Sequence, residues 1–189
     1  LLNKKDYKLI LVLDYDKFNL RLEDFSPKHK IKKIYSLFKL INRDFSETQR
    51  KLYIDFILDR FNLMRKVGIE FSNLDARDLN SLTDIYNTFK PSKIVHLSAI
   101  ASAVNANLLP SLAYDVQINT LRNILDLCKN YYGITNQIIF MSSSTVYGDF
   151  KTESVNEETR PMPRGVYANG KYIGERMVRE AGNLNNLDY

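Results

Sequence analysis

Short apolar runs alternate with helically spaced apolar residues over the second half of the chain. Three runs rich in β-branched and aliphatic residues predict strands at residues 69–74, 93–99 and 137–141. Segments with apolar residues at helical spacing predict helices at residues 79–89, 111–132 and 167–181. Strands that alternate with helices are typical of βαβ units, in which helices cover both faces of a parallel sheet. We therefore expect an α/β fold whose ligands bind at the carboxyl ends of the strands.

The first third of the chain has a different pattern, with one strand and two helices. Residues 7–13 are mostly aliphatic and predict a buried strand that ends at Asp14. Residues 28–42 carry apolar side chains at helical spacing, at Ile31, Ile34, Tyr35, Phe38 and Ile41. A second helix begins at the capping pattern Ser46-x-x-Gln49 and ends at Gly68. Residues 17–67 therefore predict a helical hairpin inserted between two strands.

Composition excludes several classes of protein. Hydrophobic residues make up 44% of the 189 residues and charged residues 26%, which is an ordinary globular balance. The single cysteine, Cys128, forms no internal disulfide, and His29 and His96 lie too far apart in the sequence for a Cys/His metal motif. The longest early apolar run, residues 9–13, is far too short for a membrane span or a signal sequence. We expect a soluble, cytoplasmic protein with no metal site and no membrane partner.

The net charge of +5 is concentrated in one stretch of the chain. Residues 26–51 hold eight basic and two acidic side chains, so the rest of the chain is close to neutral. A nucleic-acid-binding protein would carry its basic residues on a binding face together with aromatic residues or a known module. We interpret the lysine-rich stretch as a solvated helix face, with a patch for a polyanion or a membrane surface as the alternative. No nucleic-acid partner is expected.

The most specific pattern in the sequence is a row of hydroxyl groups followed by a tyrosine and a lysine. The segment MSSSTVYG covers residues 141–148 and lies at the end of the strand predicted at 137–141. Tyr167 and Lys171 follow in a predicted helix, four residues apart, so their side chains share one face. A Tyr-x-x-x-Lys pattern alone is a weak signal. Combined with a serine-rich turn at the end of a strand, it favours a catalytic site over an ordinary helix.

The spacing of Tyr167 and Lys171 has a chemical reason. A tyrosine has a pKa near 10, so its use as a base near pH 7 requires a pKa that is lower by roughly three units. That shift corresponds to about 4 kcal/mol, which an ammonium group about 4 Å away supplies at an effective dielectric near 20 but not in bulk water. We therefore expect the pair to lie in a partly desolvated cleft.

Four ordered segments resemble the extended short-chain dehydrogenases/reductases, especially the NAD-dependent nucleotide-sugar epimerases and dehydratases. The segments are FSNLDARD at 71–78, VHLSA at 95–99, SSSTVYG at 142–148, and VYANGK at 166–171 with Glu175. The resemblance runs nearly ungapped from about residue 67 to residue 189. It implies a Rossmann-like, doubly wound parallel sheet, NAD as the cofactor and a nucleotide sugar, such as a UDP-sugar, as the substrate.

The resemblance implies a role for each polar residue of the serine turn and the following helix. Tyr167 resembles the catalytic base, and Lys171 resembles the residue that holds the nicotinamide ribose hydroxyls and lowers the pKa of the tyrosine. Ser143 resembles the hydroxyl that hydrogen-bonds the reacting sugar oxygen. Ser144 and Thr145 follow it in the implied substrate site.

The resemblance also implies residues that bind the cofactor. Asp75 and Ala76 resemble the pair that contacts the adenine. Asp14 resembles the acidic residue that binds the adenosine ribose, which favours NAD over NADP. The backbone that passes along the cofactor at the end of a strand is matched by Leu97, Ser98 and Ala99.

Several of these residues have another interpretation. Asp59 replaces Asp14 as the ribose-binding acid if residues 52–58 form a strand. Asp75 has an alternative role as an acidic residue at a helix N-terminus. His96 and Cys128 are interpreted as core residues, since one lies within a predicted strand and the other on an apolar helix face.

The sequence also departs from the family pattern. No glycine precedes Gly68, so the glycine-rich phosphate loop is missing, and the chain stops near the point where the next strand of the family begins. Gln117 and Thr120 stand where the family usually has asparagine and glycine. We therefore interpret residues 1–189 as a partial NAD-binding Rossmann domain that lacks its N-terminal strand, its glycine loop and the C-terminal substrate lobe.

The two residues after Ser143 separate subclasses of the family. The 4,6-dehydratases carry an Asp-Glu pair there, whereas Ser144 and Thr145 exchange no protons with carbon near neutral pH. Since epimerisation requires a single base, we expect a nucleotide-sugar epimerase. A reductase or dehydratase of the same family and a non-catalytic truncated remnant are the alternatives. The helices at 111–132 and 167–181 resemble those that pair in family dimers, so a homodimer is a further expectation.

Overall fold

The computed structural model describes residues 10–13, 46–100, 102–131, 133–151 and 153–189. The chain divides into two compact units, Leu1–Asp75 and Ala76–Tyr189. No helix of the described residues is long and apolar enough to cross a lipid bilayer.

The described part of the first unit, residues 10–13 and 46–75, contains two parallel strands and one long helix. Its elements are β1 (Ile10–Leu13), α1 (Glu47–Lys66) and β2 (Glu70–Asn73). Strand β1 pairs in parallel with β2, with Ile10 opposite Glu70 and Leu13 opposite Asn73. The φ angle of +86° at Gly68, which glycine adopts without steric cost, follows the end of α1.

The helix predicted after Ser46 is confirmed as α1. Because residues 52–58 lie within this helix, the alternative in which they form a strand that presents Asp59 to the ribose is wrong. The predicted strand at 7–13 is observed from Ile10 onward. The predicted helix at 28–42 and Asp14 lie outside the described residues.

In the second unit, the described residues form helices that alternate with two further strands. Its elements are α2 (Leu79–Phe89), β3 (Lys93–His96), α3 (Ala103–Leu108), α4 (Pro110–Tyr114), a π-helical turn (Asp115–Asn119), α5 (Thr120–Asn130), β4 (Gln137–Phe140), a 3-10 helix (Ser144–Tyr147) and α6 (Gly165–Asn185). Strands β3 and β4 pair in parallel, with Lys93 opposite Gln137 and His96 opposite Phe140. Gln137 of β4 also forms a parallel bridge with Asp188. The predicted α/β class with parallel pairing agrees with these elements.

Several predicted boundaries are wrong. The single helix predicted at 111–132 is α4 and α5 joined by the π-helical turn, and α3 precedes it after a break at Leu109. Strand β3 ends at His96, so Leu97, Ser98 and Ala99 follow the strand instead of lying in it. Helix α6 extends beyond the predicted 167–181 at both ends and stops at Asn186, whose φ is +51°. These boundaries depend on caps and packing that apolar spacing does not encode.

The core of the second unit lies between the β3–β4 pair and helices α5 and α6. The buried cluster consists of Leu121, Leu125, Cys128, Ile138, Val178 and Leu187. His96 and Cys128 are buried, which confirms their interpretation as core residues. The opposite face of the two strands carries Val95 and Ile139, and Leu97 and Met141 follow directly after the strand ends; these four side chains are 44–57% exposed. One face of this sheet is therefore packed by helices, and the other presents apolar side chains.

We predict that Leu121→Ala lowers the free energy of unfolding by about 2–5 kcal/mol, because the leucine side chain is fully buried and its removal leaves a cavity. Leu184→Ala is the matched control, since that side chain is 82% exposed and its loss changes stability by less than about 0.5 kcal/mol. Urea denaturation of both variants measures the difference. Equal effects would contradict the assignment of this core.

Candidate active site

Helix α6 carries the predicted tyrosine and lysine on one face. Tyr167 lies in its first turn and Lys171 lies one turn further on. The Lys171 Nζ atom is 5.9 Å from the centroid of the Tyr167 ring. The shared face expected from the four-residue spacing is therefore present.

The ammonium group of Lys171 is buried at the carboxyl end of β4. The residue is only 3% exposed, and Nζ donates a hydrogen bond of 2.6 Å to the Met141 carbonyl oxygen. Nζ also lies 5.0 Å from the centroid of the Phe140 ring, within cation–π range. Burial lowers the pKa of Lys171 below its usual value, because the charged form loses hydration.

The serine turn begins where β4 ends and is bonded to α6. Ser142 donates its hydroxyl hydrogen to the carboxylate of Glu175, one helical turn beyond Lys171. Two successive residues, Met141 and Ser142, are therefore hydrogen-bonded to two successive turns of one helix face. In the sequence, Glu175 stands out only as the last residue of a family motif. Its position eight residues after Tyr167 places it on the same helix face, and that spacing was the available signal.

Ser143 caps the short helix that forms the rest of the turn. Its Oγ atom accepts hydrogen bonds from the Thr145 backbone N–H at 3.3 Å and from Thr145 Oγ1 at 2.9 Å. Ser144 and Thr145 are exposed, whereas Val146 is buried below them. The 3-10 helix packs against α6, so the hydroxyl row lies beside the helix that carries Tyr167.

Two glycines allow α6 to approach its neighbours closely. A Cβ atom at Gly174 would overlap the ring of Phe140, and one at Gly170 would overlap Oε1 of Gln117. Because real Cβ atoms do not come this close, a larger residue at Gly174 would force α6 away from the rigid Phe140 ring of β4, whereas one at Gly170 would displace the flexible Gln117 amide. This approach allows the Lys171 ammonium to reach the Met141 carbonyl.

Amide side chains from the preceding helices contact the first turn of α6. Asn107 Oδ1 accepts a hydrogen bond of 3.0 Å from the Val166 backbone N–H, which would otherwise lack a partner at the helix start. Gln117 Nε2 lies 3.5 Å from the Tyr167 carbonyl oxygen. No local pattern in the sequence points to Asn107, because its contact is 59 residues distant along the chain.

His96 is a neutral residue next to this cluster. Its Nε2 atom lies 3.0 Å from Thr120 Oγ1, which itself donates to the Val116 carbonyl at 2.6 Å, so Nε2 carries the proton. Burial, reinforced by the positive charge of Lys171, lowers the pKa of His96 to about 4. Among the described residues, His96 Nδ1 and Gln117 Oε1 are buried atoms without a hydrogen-bond partner.

The residues predicted to bind the cofactor lie elsewhere in the two units. Asp75 ends the first unit and is half-buried, whereas Ala76 begins the second unit and is buried. Leu97 is exposed, and the residues that follow it, Ser98 and Ala99, are half-buried. The structure thus groups Tyr167, Lys171 and the serine turn within one unit, while the roles of all these residues remain predictions.

Comparison with protein families gives one match over most of the chain. A family model described as GDP-mannose 4,6 dehydratase matches residues 28–188. The chain is also 30% identical over 125 residues to the bifunctional protein gal10 of Schizosaccharomyces pombe. That match covers 64% of this chain and 17% of the relative.

Solved structures share the fold over a similar region. The UDP-glucose 4-epimerase of Thermus thermophilus, solved in complex with NAD, matches with a TM-score of 0.60 and 27% identity, over 64% of this chain and 39% of that one. The L-threonine 3-dehydrogenase of Trypanosoma brucei matches with a TM-score of 0.57 and 28% identity, over 63% of this chain and 36% of that one. The likeness confirms the predicted Rossmann-like α/β fold. The chain spans well under two thirds of each relative's length.

We predict that Gly148→Ala destabilises the serine turn by two effects. The φ angle of +68° is unfavourable for alanine, and its Cβ would overlap the Met162 backbone carbonyl. Gly133→Ala is the matched control, because φ there is +84° but nothing lies within 4 Å. In chemical denaturation, Gly148→Ala should lose at least about 1 kcal/mol more than Gly133→Ala. Equal losses would mean that the Met162 carbonyl imposes no constraint.

We predict that His96 makes the protein less stable at acid pH. Its pKa is about 4 in the fold and 6.5 in a model peptide, so between these values the unfolded chain binds a proton that the folded chain does not. The free energy of unfolding therefore falls by about 3 kcal/mol as the pH drops from roughly 6.5 to 4. Glutamine does not titrate, so the stability difference between wild type and His96→Gln should shrink as the pH falls through that window. A constant difference in urea denaturation across these pH values would refute the prediction.

Proposed function

Since the chain belongs to the GDP-mannose 4,6 dehydratase family, among the NAD-dependent epimerases and dehydratases of the extended short-chain dehydrogenases/reductases, we propose that it functions as an NAD-dependent nucleotide-sugar epimerase. The observation that carries the proposal is the face of α6 on which Tyr167 and the buried Lys171 lie beside the serine turn. Because the chain spans only part of its relatives, the activity, substrate and partners of the whole protein are all part of the proposal.

The residues of the site are chemically suited to hold NAD. An ammonium group has three N–H donors, and one of those of Lys171 binds the Met141 carbonyl. The other two have no hydrogen-bond partner among the described residues and fit the hydroxyls of the nicotinamide ribose. In the proposal, the adenosine end is bound by Asp14, Asp75 and Ala76, and the backbone of residues 97–99 passes along the cofactor. When bound, NAD supplies the oxidation and reduction of a sugar carbon.

Tyr167 acts as the base in the proposed mechanism. Its deprotonated hydroxyl takes the proton from a sugar hydroxyl while the carbon that bears this hydroxyl is oxidised. After the keto sugar has rotated to present its opposite face, Tyr167 returns the proton. The Lys171 ammonium stabilises the negative charge of the phenolate, an interaction that burial strengthens. Ser143 holds the reacting oxygen by a hydrogen bond, with Ser144 and Thr145 beside it in the substrate site.

The serine turn favours epimerisation over dehydration. Ser144 and Thr145 occupy the positions at which 4,6-dehydratases carry an acidic pair, and both side chains are exposed hydroxyls. Elimination of water needs groups that exchange protons near neutral pH, and hydroxyls do not. One base is sufficient for epimerisation. This chain therefore fits the epimerase reaction better than the reaction for which the family is described.

A dehydrogenase or reductase is the second candidate function. The likeness to an L-threonine 3-dehydrogenase at 28% identity favours it, because that protein has the same fold. An epimerase regenerates its cofactor in each turnover. A dehydrogenase or reductase instead causes net oxidation or reduction of the nicotinamide cofactor, which changes the absorbance of the solution. Turnover without a net absorbance change supports the epimerase, and a net change supports the second candidate.

The proposal includes a second copy of the chain and a cytoplasmic location. Exposed apolar residues on α3 and α6, among them Val104, Leu108 and Ile173, support a homodimer, because such side chains are commonly covered at interfaces. A single cysteine, which is buried and free, fits a reducing compartment.

We predict that Tyr167→Phe lowers the rate of interconversion of UDP-glucose and UDP-galactose by about 10²–10⁴-fold, because the variant has no proton-accepting oxygen. Its affinity for NAD in calorimetric titration should stay within about threefold of wild type, since binding relies on other residues. Tyr172→Phe makes the same chemical change on the same helix and should leave turnover intact.

Three outcomes separate the hypotheses for this chain. Undiminished turnover of Tyr167→Phe would rule out the tyrosine mechanism. Wild-type protein that binds no NAD would support the non-catalytic alternative. Binding of NAD without turnover of UDP-sugars would retain the cofactor assignment and reject the proposed substrate.

A further inference from the structure

A single buried amide holds the loop that precedes α2. Asn123, on α5, is 1% exposed. Its Nδ2 group donates hydrogen bonds of 3.0 Å to the Ala76 carbonyl oxygen and 2.9 Å to the Arg77 carbonyl oxygen. Its Oδ1 atom lies 3.4 Å from the guanidinium Nη2 of the neighbouring Arg122. Both donors of the amide are thus committed to two successive backbone carbonyls more than 40 residues away in the sequence.

The same loop is fixed by two further side chains. Arg77 Nη1 lies 2.7 Å from Asp115 Oδ2, which ties the loop to the π-helical turn. Asp78 caps α2, and its carboxylate accepts hydrogen bonds from the Asn80 backbone N–H at 3.1 Å and from Ser81 Oγ at 2.5 Å. The backbone of residues 76–78 is therefore held from α5, from the π-helical turn and from α2.

We propose that Asn123 is a positioning residue for the adenine end of the cofactor. This inference rests on the proposed function, in which the loop at Asp75 and Ala76 meets the adenine. An uncharged base is recognised by the position of nearby backbone and side-chain groups, so a loop that is already ordered binds it more tightly. Ordering the backbone costs conformational entropy, and Asn123 meets that cost during folding instead of during binding.

Loss of the amide should displace the loop, because two buried carbonyls would be left without donors. Buried acceptors without a partner are unfavourable, so the carbonyls of Ala76 and Arg77 would rotate toward water. Asn123→Asp keeps the size of the side chain but sets carboxylate oxygens against both carbonyls. Asn130→Ala is the matched control, because Asn130 is an exposed asparagine at the end of the same helix.

The test compares the two halves of NAD as separate probes in calorimetric titration. Asn123→Asp should bind AMP and NAD roughly tenfold more weakly than wild type, a loss of about 1.4 kcal/mol, while its affinity for nicotinamide mononucleotide stays within about twofold. Asn130→Ala should match wild type for all three probes. If Asn123→Asp does not fold, Asn123→Ser retains one donor and should bind AMP about threefold more weakly.

The outcomes distinguish this inference from the proposed function. Weaker binding of AMP and of nicotinamide mononucleotide to the same extent would show general loosening and overturn the positioning role. Unchanged AMP affinity with a lower melting temperature would show a purely structural role and also overturn it. Wild-type protein that binds neither AMP nor NAD would instead reject the cofactor assignment, and the positioning role with it.

Discussion

The hydrogen bond between the Lys171 ammonium and the Met141 carbonyl is the interaction on which the site depends. Removing an ammonium group from water is costly, and the carbonyl at the end of β4 together with the Phe140 ring compensates for it. The absence of a side chain at Gly174 lets α6 lie close to the Phe140 ring of β4, next to the carbonyl that Lys171 binds. This close packing of α6 on β4 helps to place the charge of Lys171.

This charge also constrains the neighbouring groups. His96 stays neutral because its burial and the positive charge of Lys171 both oppose protonation. Of these two described residues, only Lys171 is therefore charged, which suits its proposed role beside a phenolate. Two successive hydrogen bonds, from His96 to Thr120 and from Thr120 to the Val116 carbonyl, connect the end of β3 to the π-helical turn. The same turn contacts α6 through Gln117.

Family membership identifies the protein family, whereas the side chains of the site support a more specific proposal about the reaction. The family model and the structural likeness define an α/β enzyme family with epimerase, dehydratase and dehydrogenase relatives. The proposed choice among these reactions comes from two side chains, Ser144 and Thr145, which replace an acidic pair. The proposed adenine site likewise depends on this chain's own contacts, since Asn123 orders the loop at Ala76 from within the fold.

Features that depend on local spacing were determined by the sequence itself. Apolar periodicity located α1, α2, β3 and β4, and the four-residue interval placed Tyr167 and Lys171 on one face, because helix geometry is set by neighbouring residues. Only the tertiary structure decided the break at Leu109, the π-helical turn, the Ser142–Glu175 bond and the contacts of Asn123. These features join residues far apart in the chain or depend on packing against another element, and no pattern within a short window of sequence specifies such partners.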